Sequence, residues 1–289
     1  MTGRRVLFRS LPPGKNRGIL DGTRMVSNID RLKVQGSFHR QAEDYDAHAV
    51  VQRRVVERLT GMLQSEGVQP SRLLDIGAGT GRLLASLRQV YPSALAVGAD
   101  LALGMCRTAS ANLAGADVQL VNADAERLPF ATGSFDLVLS TSTYQWLTSL
   151  DIAFGEAKRV LVPGAPFCFA LFGEKTLFEL RDSYKKVLSG APDRTHSFFS
   201  REEVLQALRR SGFLEPEVVS EMEVEYHPDV PELLRSLKRI GAGSTAPVSA
   251  RGLSQRRGMM DMMEAYRNVY ARDGRIPASY EVVYGWAVA

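Results

Sequence analysis

Leu73-Leu74-Asp75-Ile76 is a short apolar run that passes directly into Gly77-Ala78-Gly79-Thr80-Gly81, and Leu83, Leu84, Leu87 and Val90 follow at helical spacing. A strand, a turn of alternating glycines and a helix must therefore succeed one another within a few residues. Glycine adopts backbone conformations that other residues resist, and it lets a ligand come close to the main chain. The helix start adds unpaired N–H groups and a partial positive charge, which suit a carboxylate. Dinucleotide-binding loops read G-x-G-x-x-G, with the third glycine three residues after the second. Here it comes two after, and an acid precedes the loop. A pyrophosphate gains nothing from that acid, whereas an ammonium does. The glycines alone also fit a tight strand–helix turn without a ligand.

The methionine end of S-adenosylmethionine carries both an ammonium and a carboxylate, and other parts of the chain fit the rest of that molecule. Asp100 ends the second expected strand, where a carboxylate accepts hydrogen bonds from both ribose hydroxyls. Its neighbour Leu101 joins the cofactor set, and the soft side chain of Met105 is expected against adenine. Asp124, followed by Ala125, ends the third strand and is a candidate partner of the adenine amine. A single acid at a strand end is usually a solvated cap. Three of them, Asp75, Asp100 and Asp124, converge on one crevice at the carboxyl edge of an open parallel sheet. The cofactor set is Asp75, Gly77, Ala78, Gly79, Gly81, Asp100, Leu101, Met105, Asp124, Ala125 and Ser140. Past the fourth strand, the small hydroxyls of Ser140 to Thr143 suit a sulfonium and methyl pocket. Tyr144, Gln145 and Trp146 either shape the acceptor side or pack the start of the next helix.

Along the chain, Val51, Val55, Leu59, Met62 and Leu63 form one apolar stripe in a helical region that begins at Phe38. Strands are expected at 73–76, 94–98, 118–121, 135–139 and 167–171, with helices between them, notably 150–161. That alternation predicts a parallel sheet covered on both faces. Helices near 176–189, 201–211, 231–241 and 254–271 then accompany two late strands, at 218–226 and 280–288. The net charge of +4 misleads. Residues 1–24 carry six basic side chains against Asp21 alone, a balance of +5, which leaves the remainder near −1. This arginine-rich segment reads as a transit peptide, as a disordered arm, or as translated sequence upstream of Met25, and the latter two readings are preferred. No apolar run is long enough for a membrane-spanning helix. The two cysteines, Cys106 and Cys168, have no metal-ligand spacing and suit a reducing cytoplasm. No metal is expected.

The chain resembles the class I methyltransferases and, more narrowly, the malonyl-acyl carrier protein O-methyltransferases of biotin synthesis. The resemblance runs from about Val26 to the C-terminus. It rests on residues 38–48 (Phe-His-Arg-Gln-Ala-Glu-Asp-Tyr-Asp-Ala-His), on Asp124 to Pro129, on Tyr144-Gln145-Trp146, on Thr176 to Leu180 and on Leu234 to Ala242. Gly77-Ala78-Gly79 stands where many relatives have Gly-Cys-Gly. The glycine motif marks only the superfamily, and the Gln-Trp, Leu-x-Glu-Leu and Arg-Ser-Leu-Lys-x-Ile-Gly-Ala segments are the narrower signal.

The resemblance implies a doubly wound α/β sheet of seven strands, mostly parallel with the last antiparallel, plus an N-terminal helical lid and helical insertions. It divides the chain into a basic, disordered extension at 1–36 and a methyltransferase domain at 37–289. Within the domain, residues 37–69 are the lid, 71–172 the cofactor-binding core, and 173–289 the substrate-side helices and closing strands. It implies S-adenosylmethionine as cofactor and malonyl-acyl carrier protein as a transient, acidic partner, with no nucleic acid and no membrane. Tyr45 belongs to the lid and orients cofactor or acceptor, or else packs there as a half-buried tyrosine. Arg235, Lys238 and Arg239 bind the malonyl carboxylate or the carrier, or form a solvated face. Arg181, Lys185 and Lys186 form a similar face.

A carboxylate with a pKa near ~4 needs no general base to become a nucleophile. That agrees with the scatter of His39, His48, His196 and His227, read as structural or surface groups. A small-molecule methyltransferase, a hydroxylase or assembly factor on the same fold, and a nicotinamide oxidoreductase are the alternatives.

Overall fold

A computed structural model describes residues 30–187, 197–242 and 253–289. The extension up to residue 29, with Met25, and His196 lie outside the described residues.

The chain opens with helices α1 (Arg31–Gln41), α2 (Tyr45–His48) and α3 (Val50–Ser65). The core then alternates β1 (Arg72–Ile76), α4 (Arg82–Val90), β2 (Leu95–Asp100), α5 (Leu103–Asn112), β3 (Val118–Asn122), β4 (Leu137–Thr141), α6 (Leu150–Val160) and β5 (Pro166–Phe172). A short 3-10 turn, Tyr144–Trp146, follows β4. The last part carries α7 (Phe178–Val187), α8 (Arg201–Arg210), β6 (Leu214–His227), α9 (Val230–Arg239), α10 (Leu253–Tyr270) and β7 (Ile276–Val288).

The seven strands form one sheet in the order β3-β2-β1-β4-β5-β7-β6, with β7 antiparallel to both its neighbours. This is the expected doubly wound architecture. Strand order reverses between β1 and β4, and that switch opens a crevice at the carboxyl ends of the strands. Successive β1 residues point to opposite faces. Leu73 joins a core with Leu59, Leu63, Leu84 and Leu87 from α3 and α4. Leu74 and Ile76 join another with Phe154 and Val160 of α6 and Leu208 of α8. Burying each such side chain contributes roughly 1.5–3 kcal/mol.

Four boundaries depart clearly from the expectations. The first helix begins at Arg31, where the Asp30 side chain accepts from the Lys33 N–H and caps it. Strand β4 begins at Leu137, because Phe135 pairs instead with the end of α6, its N–H donating to the Val160 carbonyl. The two closing strands are longer than the apolar pattern suggests, starting at Leu214 and Ile276.

Gly285 of β7 sits against Phe169 of β5, where an added Cβ would lie 2.2 Å from ring carbon Cζ. That ring is held by Tyr144, Phe154 and Phe167 and has no room to swing. Gly285→Ala should therefore cost about 1–3 kcal/mol by overpacking. A lowered urea midpoint with unchanged m checks this, and an unshifted midpoint would mean that the aromatic cluster yields.

Candidate active site

Strand β1 delivers Asp75 and Ile76 to the crevice, and the glycines turn the chain into α4. Gly77 and Ala78 both donate their N–H to the Ala99 carbonyl, at 2.7 and 3.0 Å. Gly77 has φ +76°, and a Cβ there would fall 1.9 Å from Thr143 Oγ1. Glycine is therefore required twice over, by backbone and by space. Asp100, at the end of β2, accepts from the Gly79 N–H through Oδ2 at 2.9 Å and from the Ala102 N–H through Oδ1 at 2.8 Å. Each oxygen keeps a further lone pair for a ligand. Burial pushes the Asp100 pKa up, and those two N–H groups pull it back.

Asp75 is 1% exposed, and neither of its oxygens accepts a hydrogen bond among the described residues. Burial, then the nearby Asp100 charge, raises its pKa to about 8. A buried carboxylate left this way calls for a cation close to the turn.

A cleft of about 800 Å³, counting its open mouth, lies over the turn. Its floor is Gly77, Gly79, Asp100, Leu101, Met105 and Asp124, with Ala125 beside them. Its roof is the N-terminal helices, through Arg31, Gln35, Phe38 and Tyr45. Polar links hold that roof down. Arg31 bonds Asp124 at 2.6 Å and also pairs with Glu126. Gln35 Nε2 donates to the Leu101 carbonyl at 2.8 Å, and the Gly104 N–H donates to His39 Nδ1 at 2.9 Å. Thr80 donates to Asp46 Oδ1 at 2.9 Å, and Arg82 pairs with the same atom at 3.3 Å.

A second, smaller chamber of about 390 Å³ shares Phe38, Tyr45, Ser142 and Trp146 with the first. Phe38 packs edge-on to Trp146 with ring centroids 5.5 Å apart, and 6.2 Å from Tyr45. These rings form a partition between two spaces. Ser142 stands in that wall with φ +54°, a conformation a non-glycine residue adopts at some cost. The Gln145 side chain, donating to the Ser142 carbonyl at 2.6 Å, helps to hold it. Gln52, Thr176, Leu237 and Tyr280 line the far side of the chamber.

Of the residues singled out from sequence, Gly77, Gly79, Asp100, Leu101, Met105, Asp124, Ala125, Tyr45 and Trp146 line the cleft, and Gln145 lines the chamber. Asp75, Ala78 and Gly81 shape the turn without lining either space. Ser140 faces inward, donating to the Ile76 carbonyl at 2.7 Å, so the hydroxyls at the cleft are those of Thr141, Ser142 and Thr143. Tyr144 is a correction to the substrate set. The 3-10 turn sends it into the core among Phe154, Phe167 and Phe169, fully buried, and only Trp146 reaches the partition. Arg235, Lys238 and Arg239 line neither space. They occupy the outer part of α9, with Arg235 and Arg239 paired to Glu232 at 2.7 and 3.1 Å. Arg31, Gln35 and Gln52 were not foreseen. Among the described residues no group of three His, Cys, Asp or Glu could hold a metal, and no helix is long and apolar enough to cross a membrane.

The Asp75 environment has a thermodynamic consequence. In the ligand-free fold Asp75 keeps a proton up to about pH 8, whereas the unfolded chain releases it near 3.8. Between those values the native state binds the extra proton, so this group makes stability fall as pH rises and level off above. Asp75→Asn should remove that share of the slope. Urea midpoints at about pH 6 and about pH 8.5 should converge in the variant relative to wild type, and equal slopes in both would contradict the assignment.

The family model described as "Methyltransferase domain" matches residues 74–169, the segment that builds the turn and the cleft. The malonyl-[acyl-carrier protein] O-methyltransferase of Geobacter sulfurreducens is 56% identical over 262 residues, covering 89% of this chain and 98% of that protein. The enzyme of the same name from Methylovorus sp. is 39% identical, covering 90% and 89%. Among solved structures, the YcgJ protein of Bacillus subtilis shares the fold at 16% identity with TM-score 0.56, covering 80% of this chain and 98% of that one. A methyltransferase of Thermotoga maritima, described as a possible histamine N-methyltransferase, does so at 19% identity with TM-score 0.54, covering 88% and 99%. The chain belongs to the malonyl-[acyl-carrier protein] O-methyltransferase family, enzymes that take their methyl group from S-adenosylmethionine.

Proposed function

We propose that this protein methylates the free carboxylate of a malonyl thioester carried on acyl carrier protein. The product is the methyl ester that primes pimeloyl synthesis for biotin. The observation that carries this reading is the pair of spaces meeting at the Phe38–Tyr45–Trp146 partition, in a chain so similar to enzymes of that name.

When bound, S-adenosylmethionine supplies an electrophilic methyl group on a positively charged sulfur. The residues of the cleft fit that molecule. Gly77 and Gly79 let its amino-acid end reach the backbone, and the partnerless Asp75 carboxylate puts negative charge near the ammonium. Asp100, with lone pairs to spare, suits the ribose hydroxyls. Met105, Leu101, Ala125 and Asp124 suit the adenine, and Arg31 fixes the Asp124 carboxylate there.

The chain's own task is to position. A malonyl carboxylate is already ionised near neutral pH and needs no base. Tyr45 supplies none, because burial, then the charges of Asp46 and Asp100, raises its pKa far above neutrality. Its hydroxyl stays a donor and serves to orient an acceptor. The chamber excludes water and aims the acceptor oxygen at the partition, which is where the rate gain of a fixed geometry arises. In this reading residues 31–69 act as the lid, which starts ahead of the expected 37, with 71–172 as the cofactor core and 173–289 as the acceptor side. The exposed Arg235 and Lys238 on α9, whose inner residues Leu237 and Ile240 line the chamber, form the docking face for an acidic carrier. Free Cys106 and Cys168 agree with a reducing cytoplasm.

Two measurements test this. With labelled cofactor, malonyl-acyl carrier protein should accept methyl groups far faster than free malonate, and equal rates on both would count against carrier recognition. Reversing Arg235 and Lys238 to Glu should raise KM for the carrier substrate about tenfold, roughly 1.4 kcal/mol, with kcat little changed and the gap narrowing in high salt. An unaltered KM would move the docking face elsewhere.

A further inference from the structure

Among the described residues, the wall of the chamber beyond the partition carries no charge. None of those that line it is Lys, Arg, His, Asp or Glu. This is unexpected in a space that must admit a carboxylate, since burying an isolated anion is costly. The buried ionisable groups behind Thr176 only add to the cost. Thr176 is bonded to the backbone of Glu281, and Glu281 and Glu179 are both acids, 4% and 1% exposed. The basic residues of α9 line another surface, and two of them are already paired with Glu232.

What the wall does offer is uncharged donors. The Gln52 side-chain amide has no hydrogen-bond partner among the described residues, and it lies on the first turn of α3, just past the short helix that carries Tyr45. The hydroxyls of Tyr45, Ser142 and Tyr280 join it, and burial keeps the two tyrosines protonated. The other polar side chains of known partner are occupied. Thr176 bonds Glu281, and the Gln145 amide bonds the Ser142 carbonyl.

We propose that the acceptor carboxylate is held by neutral donors, with Gln52 the principal one, and that the positive charge of the cofactor across the partition is its counter-charge. This rests on the functional reading above. A guanidinium in the wall would bind the carboxylate more tightly but would withdraw electron density from the oxygen that must attack. A neutral wall leaves the oxygen reactive. It also makes acceptor binding conditional on a charged cofactor, because in a space shielded from water a unit charge nearby outweighs several neutral hydrogen bonds. After methyl transfer the ester and the thioether are both uncharged, so nothing electrostatic retains the product.

The test is calorimetric titration of malonyl-pantetheine into the full-length protein saturated with one of two cofactor analogues. Sinefungin carries a cationic amine where the sulfonium stands, and S-adenosylhomocysteine carries a neutral sulfur. The acceptor should bind at least about tenfold tighter beside sinefungin. Equal affinity in the two complexes would overturn the proposal. Gln52→Leu should weaken acceptor binding to the sinefungin complex about tenfold while leaving sinefungin affinity unchanged. Undiminished acceptor binding would remove Gln52 from its role. Labelled-methyl transfer to the malonyl thioester, measured on the same preparation, separates the two ideas. If methyl is transferred but the analogues do not differ, only the neutral-wall inference fails, and if none is transferred, the functional reading fails with it.

Discussion

The site depends on one carboxylate. Asp100 closes the end of β2 and, through its two oxygens, holds the N–H groups of Gly79 and Ala102. One of those belongs to the glycine turn and the other to the entry of α5, so the acid ties these two segments together. Charge-assisted bonds of this kind are shorter and stronger than neutral ones. The arrangement is paid for by burying the charge, and the raised pKa of Asp100 records that cost. Everything nearby is placed relative to this clamp. Leu101 and Met105 follow it in sequence, Gln35 reaches the Leu101 carbonyl from the roof, and Asn122 fixes the Asp100 and Leu101 carbonyls from β3.

Electrostatics divides the site in two. The cleft for a positively charged cofactor is lined by Asp100 and Asp124, and the Asp75 carboxyl is buried behind the turn. The chamber beyond has no charged group among its described lining residues. Arg31 is the basic residue among those described that line the cleft, and it is engaged by Asp124 and Glu126. The roof helices that carry Phe38 and Tyr45 belong to both spaces.

The sheet was legible in the sequence because its signals are local. Leu73 to Ile76 is apolar enough to be a buried strand, the glycines punctuate it, and the acids fall at strand ends. The roof was less legible. Arg31 to Gln41 buries only Val34, so it has no apolar stripe to betray a helix, and Arg31 was assigned to the basic extension. Its function comes from a partner about ninety residues away, which no local pattern encodes. Tyr144 and Trp146 are alike in type and two residues apart, and only the 3-10 turn decides that one packs in the core and the other faces the ligands. Basic residues on α9 looked suited to a carboxylate by charge alone, and Glu232, three residues before Arg235, already satisfied that charge. Gln52 had no motif to announce it, since a lone glutamine on an amphipathic helix is ordinary until a chamber is found beside it.

The most direct test of the account is calorimetric titration of S-adenosylmethionine into wild-type protein and Asp100→Ala. The clamp should make the variant lose about a hundredfold or more in affinity, the loss of hydrogen bonds to a charged group, while its far-ultraviolet circular dichroism stays native. Equal affinity in a folded variant would show that the ligand is not gripped at the end of β2, and the arrangement of cleft, partition and chamber described above would be contradicted.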